Sequence, residues 1–130
     1  MSALRSVLAV IAGLAAVIVL SEGTDFVLRS AGLFPPLEDA GAYTTAMFAA
    51  AAVYRTLAGV VGGFVAASLA PRAPVAHALV LGAIGLALNI AGAIAMWGVG
   101  PAWYPLILAA LALPSTWLGG ALAMRRAQVA

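Results

Sequence analysis

The stretch Val7-Leu-Ala-Val-Ile-Ala-Gly-Leu-Ala-Ala-Val-Ile-Val-Leu20 decides the fold. Every side chain in it is apolar or absent, with no alternation that would leave one face to water. A soluble helix needs a polar stripe opposite its buried one. A segment apolar all round belongs in lipid or in the centre of a large protein, and a chain with 8% charged residues could not cover a soluble surface with polar groups. With its flanks the stretch extends from about Ser6 to Leu28, enough at 1.5 Å per residue for a hydrocarbon layer of roughly 30 Å. A signal peptide is the competing reading, with Arg5 before an apolar core. The residues after Leu20 are Ser21, Glu22 and Gly23, which do not form a small-x-small cleavage site.

Three more stretches of the same kind follow: about Thr45–Leu69, Val75–Trp97 and Ala102–Met124, that is 6–28, 45–69, 75–97 and 102–124 in all. Lipid offers the backbone no hydrogen-bond partners, so each must be helical, and four crossings cannot close a barrel. The connections carry breakers: Leu33-Phe34-Pro35-Pro36-Leu37-Glu38-Asp39, then Ala70-Pro71-Arg72-Ala73-Pro74, then Gly98-Val99-Gly100-Pro101. Pro74 suits the first turn of a helix. The chain therefore reads as a single domain, residues 1–130: an all-α integral membrane protein, a four-helix up-down-up-down transmembrane bundle.

Composition agrees. Apolar residues make up 65% of the chain and charged ones 8%, where a soluble domain carries about 25% charged residues. The mean hydropathy is +1.15. The six basic residues are all Arg and scattered, not the clustered stripe that a nucleic-acid face requires. No Cys is present, which removes disulfides, thiol redox chemistry and Cys-ligated metals.

Arg5, Arg72, Arg125 and Arg126 fall on one side of such a bundle, and Arg29 alone falls near the other. The positive-inside rule makes the first side cytoplasmic, so both termini are expected inside a cell inner (plasma) membrane, multi-pass and of bacterial type. Glu22, Asp25, Glu38 and Asp39 all lie toward the outside. Trp97, Trp103 and Tyr104 fall at the outer helix ends, where an aromatic belt belongs.

Polar residues inside the spans are the candidate site. Counting at 1.5 Å per residue puts Arg55 ~15 Å, Asn89 ~12 Å and Glu22 ~9 Å below the outer end of their helices. An unpaired Arg at mid-bilayer costs at least ~2.5 kcal/mol, so a partner is expected. Asp25 has Arg29 at i+4, the favoured order for a local pair. The pairing expected is therefore Glu22 with Arg55, Asn89 beside them, and Asp25 with Arg29 nearer the headgroups.

Small residues mark the packing faces: Gly59 and Gly63, a GxxxG match, then Gly82 and Gly85, then Gly119 and Gly120. Pro114 with Ser115 and Thr116 interrupts the fourth span, where hydroxyls and neighbouring helices commonly restore the broken hydrogen bonds. His77 stands alone near the cytoplasmic rim, without metal-ligand spacing. No HExxH, GxSxG, Walker or GxGxxG motif occurs, so no catalytic residue, metal or cofactor is expected.

Two functions remain open. One is a non-enzymatic membrane component that forms homo-oligomers or binds a membrane-protein partner through its Gly/Ala stripes. The other is a small-solute or ion transporter or channel using Glu22, Arg55 and Asn89. The absence of charge between Arg55 and the cytoplasmic rim favours the first. A translocator would need a hydrated path continuing past Arg55.

Overall fold

A computed structural model describes residues 2–129, and the side chains of Ser2, Leu37, Glu38, Ala40 and Val129 lie outside the described residues. Four helices form: α1 (Ser2–Ser30), α2 (Thr45–Leu69), α3 (Pro74–Ala95) and α4 (Trp103–Val129), with a short 3-10 turn at Leu37–Ala42. No strand occurs among the described residues. All four are long and apolar enough to cross a membrane. Helices occupy the four expected stretches, with shifted ends. α1 runs past both limits of 6–28, α3 stops at Ala95 where 75–97 was expected, and α4 starts at Trp103 and runs beyond Met124.

Local chemistry sets the ends. α1 closes in a Schellman turn: Leu33 N–H bonds Leu28 C=O at 2.9 Å and Gly32 N–H bonds Arg29 C=O at 3.2 Å. Gly32 sits at φ +78°, a conformation cheap only without a Cβ. Thr44 caps α2, its Oγ1 accepting from Met47 N–H at 3.2 Å. Pro74 occupies the first turn of α3, after Ala73 at φ 49°, so a two-Pro turn reverses the chain tightly.

Neighbours along the chain run antiparallel. α2 packs on α1 and α4, α3 packs mainly on α4, and α1 shares no contact with α4. Glycines set the closest approaches. A Cβ at Gly13 would lie 2.7 Å from Gly62 O and 2.9 Å from Leu81 Cδ2, joining α1 to α2 and α3. Gly59 lies against Ser115, Gly63 against the Thr116 backbone, and Gly119 against Val60 and Phe64, which locks α2 to α4. Gly82 meets Thr116 and Ala112, and Gly120 meets Ala78, which locks α3 to α4.

Gly85 departs from the expected packing set: nothing lies within 4 Å of a Cβ there. The reason is geometric. α1 and α3 are held together at Gly13 and Leu81 and have separated by the next turn of α3. Gly92, further along, is equally open. At the end that carries the termini the bundle is filled by Ala67, Ala78 and Ala123, with Phe64 packed against them. Arg126 lies over the Phe64 ring at 5.8 Å.

Candidate functional site

The separation of α1 from α3 leaves a cavity of about 620 Å³ at the end of the bundle opposite the termini. Its walls bring together Glu22, Asp25 and Arg29 from α1, Arg55 from α2, Asn89 from α3 and Tyr104 from α4. A separate, smaller cavity of about 140 Å³ lies next to it, toward the middle of the bundle, lined by Ser21, Gly82, Ser115 and Thr116 among others. Both share Arg55, Leu88, Asn89 and Leu108 as lining, so Arg55 and Asn89 flank the neck between them.

On α1, Glu22, Asp25 and Arg29 stand at i, i+3 and i+7, one face of a helix. That face looks at α2, where Tyr54 and Arg55 are adjacent. The guanidinium Nη2 of Arg55 donates to Asp25 Oδ2, and the Tyr54 hydroxyl donates to Asp25 Oδ1. Both carboxylate oxygens of Asp25 are thereby engaged, and its side chain is only 10% exposed.

Glu22 approaches Arg55 at 3.9 Å, Oε1 to Nη1, with its side chain 63% exposed. The expected Glu22–Arg55 contact is therefore present as a long one, and the principal partner of Arg55 is Asp25. This corrects the Asp25–Arg29 pairing. An i,i+4 pair on a helix surface contributes only about 0.2–0.5 kcal/mol, whereas a guanidinium within an apolar bundle gains far more from a carboxylate at its own height. Arg29, one turn nearer the mouth, makes no ion pair among the described residues and lines the cavity instead.

Asn89 joins the site without contacting either carboxylate. Its Nδ2 donates to Leu108 C=O on α4 at 3.3 Å, which ties α3 to α4 at the neck. The carbonyl end of its amide is the part not used in that bond.

Below the neck the floor is made of hydroxyls. Pro114 removes one backbone donor from α4, and the Ser115 and Thr116 side chains both donate to Ala112 C=O, at 3.2 and 3.1 Å. Thr116 Oγ1 also lies 3.2 Å from Leu113 C=O. Ser21, Ser115 and Thr116 are all buried.

At the mouth stands a chain of rings from three segments. Centroids lie 5.4 Å apart for Phe34–Tyr43, 5.7 Å for Tyr43–Phe48 and 5.0 Å for Phe48–Tyr104. Tyr43 donates its hydroxyl to Pro35 C=O at 2.9 Å, closing the α1–α2 connection on itself. All four of these rings face the cavity. Sequence reasoning passed over Tyr54, Tyr43, Phe48 and Ser21. Tyr54 carried a signal, since a phenol next to a buried Arg is a second donor for the same carboxylate. The ring chain carried none, because its members come from separate segments.

Among the described residues no group of three or more His, Asp or Glu is arranged to hold a metal ion. Comparison with protein families, with characterised proteins and with solved structures finds no match for this chain.

Proposed function

We propose that this chain is a multi-pass protein of a cell inner membrane, both termini cytoplasmic, that binds and translocates a small solute or ion through the cavity between its helices without catalysing a reaction. The observation that carries the reading is the pair of adjacent cavities that share Arg55, Leu88, Asn89 and Leu108 as walls, the inner one reaching Thr116. A bundle needing only a structural clamp would close around its ion pair, because close packing and the dispersion it brings are what hold lipid-embedded helices together. Here a charged, partly open space persists where packing would be favourable. Arg5, Arg72, Arg125 and Arg126 at the closed end, with Trp97 and Trp103 at the open end, support an orientation in which the cavity opens outward. Phe64 and the Ala67–Ala78–Ala123 cluster then form the inner closure, and translocation requires that this closure part.

The chain has no Cys, so single cysteines are unique reporters. With Gly85→Cys and Asn89→Cys, a membrane-impermeant thiol reagent added outside intact cells labels both, while Ala78→Cys resists it. Protection of positions 85 and 89 from that side would overturn the reading.

A second reading, a homo-oligomer or a complex with a membrane-protein partner, is favoured by one observation. α1 is the least covered helix: Leu4, Val7, Leu8, Ile11 and Val19 are all more than half exposed. Crosslinking in native membranes through cysteines on that face yields a dimer band on this reading, and monomer alone would sink it.

A further inference from the structure

The wall of the cavity is interrupted on one side. α1 and α3 touch where Gly13 meets Leu81, and beyond that point nothing lies within 4 Å of a Cβ at Gly85 or Gly92. Gly85 lines the inner cavity and Gly92 the outer one. The residues flanking this space are cavity wall and outer surface at once. Ile18 on α1 is 48% exposed and Leu88 on α3 is 56% exposed, and the Glu22 side chain is mostly exposed too. The opposite side is shut, with Gly59 and Gly63 of α2 packed on Ser115 and Thr116 of α4. The gap between α1 and α3 therefore faces sideways, which in a spanning bundle is toward lipid. From Gly85 to the end of α3 at Ala95 is ten residues, ~15 Å at 1.5 Å per residue. That is the depth of one leaflet of a ~30 Å hydrocarbon layer.

We infer that this gap admits a zwitterionic phospholipid of the outer leaflet, one acyl chain lying between α1 and α3 and the head resting on Arg29 and Glu22. The inference builds on the reading of the cavity as a ligand site in a spanning bundle, and adds its route of entry and its ligand class. A chain in the gap meets Ile18, Gly85, Leu88 and Gly92 and restores the dispersion contacts that an unfilled space forfeits. The lining holds two guanidiniums and two carboxylates, Arg29 and Arg55 against Glu22 and Asp25, which calls for a head without net charge. Asp25 and Arg55 are spent on each other. That leaves one cation and one anion on the same face of α1, Arg29 at its outer end and Glu22 two turns below. Arg29 is half-buried and makes no ion pair among the described residues, so its donors can take a phosphate. The ammonium of the same head then meets Glu22, whose other contact is 3.9 Å long.

The test uses the full chain in nanodiscs of phosphatidylglycerol with a small, rising fraction of phosphatidylethanolamine that carries a diazirine in mid-chain. Adducts formed on irradiation are mapped by mass spectrometry. Those on Ile18 and Leu88 are expected to saturate. Those on Val53 and Leu57, exposed on α2 and outside both cavities, rise in proportion to the probe. Gly85→Leu with Gly92→Leu fills the gap and lowers the saturable adducts at least fivefold, whereas Ala87→Leu, at an exposed position of α3, leaves them unchanged. Both glycines face open space, so the filled variant folds, and matching melting curves verify that. Glu22→Gln and Arg29→Gln each raise the half-saturating fraction several-fold. Adducts on Ile18 and Leu88 that track those on Val53, saturation unchanged in the filled variant, or equal adducts there from phosphatidylglycerol carrying the same diazirine at the same fraction would each overturn the inference. Labelled cysteines at 85 and 89 without saturable adducts would remove this inference and leave the solute-site reading standing. Unlabelled cysteines without saturable adducts remove both.

Discussion

Asp25 and Arg55 are joined across the α1–α2 interface, and Asp25, not Glu22, is the counter-charge that Arg55 depends on. The two carboxylates stand one helical turn apart on the same face, yet one is nearly buried and bonded twice while the other is mostly exposed. Their replacements therefore separate a buried, doubly bonded carboxylate from an exposed one.

Asp25→Asn leaves a guanidinium without its counter-ion inside the bundle and is expected to destabilise by about 3 kcal/mol, as breaking a buried pair does. Glu22→Gln removes a long, exposed contact and is expected to cost under about 1 kcal/mol. Adding Arg55→Gln to Asp25→Asn restores part of the loss, since no charge then remains unpaired. Denaturant unfolding in nanodiscs reads all three. Equal losses for Asp25→Asn and Glu22→Gln would refute the division of roles.

Gly63 and Gly85 look alike in the sequence and differ in the structure. A Cβ at Gly63 meets the Thr116 backbone, while one at Gly85 meets nothing within 4 Å. Gly63→Ala must push α2 from α4 and is expected to cost about 1–3 kcal/mol, the usual range for overpacking. Gly85→Ala gains helix propensity without a clash and is expected to be neutral or to stabilise by up to about 1 kcal/mol. The same unfolding measurement decides, and a destabilising Gly85→Ala would show that α3 packs there after all.

The four helices were legible because each is a long apolar run ended by Pro, Gly or charge, and a run of that kind has few alternatives. The packing was legible only where a polar residue marked the face, as Arg55 does for Gly59 and Thr116 does for Gly119. Gly13 was not readable: α1 is apolar all round at that height, so nothing in the sequence tells its inward side. Nor was the openness at Gly85, which depends on where α1 and α3 part. The partner of Arg55 was misassigned because a local spacing rule was weighed against a contact thirty residues away along the chain, whose geometry only the fold supplies.

Thr116 puts one hydroxyl to three uses: it donates within 3.1–3.2 Å of the Ala112 and Leu113 carbonyls and packs against Gly82. Thr116→Val keeps the shape and removes the donor, and is expected to cost about 1 kcal/mol, the scale of a side-chain hydrogen bond within a membrane bundle. Thr116→Ser keeps the donor and loses a methyl group. If Thr116→Val is as stable as the parent, the Thr116 hydroxyl contributes nothing beyond the bond that Ser115 already makes to Ala112 C=O.

Phe48 holds the mouth of the cavity together from three sides. Its ring stacks between Tyr43 and Tyr104, and it lies so close to Gly100 that a Cβ there would come within 2.6 Å of its Cζ. Through these contacts the α1–α2 connection and the α3–α4 turn are fastened to one side chain at the start of α2. Among the described residues the first segment is otherwise held by the Tyr43–Pro35 bond and Asp39 N–H on Pro36 C=O at 3.0 Å, the second by Val99 N–H on Met96 C=O at 3.0 Å and Tyr104 N–H on Pro101 C=O at 3.2 Å. Phe48→Ala is therefore expected to raise amide hydrogen exchange at residues 33–44 and 98–102 together, while α2 below Arg55 stays protected. Tyr43→Phe, which loses one hydrogen bond of about 1 kcal/mol and keeps its ring, is expected to raise exchange in the first segment alone. If Phe48→Ala loosens only one of the two segments, the rings are neighbours and not a fastening.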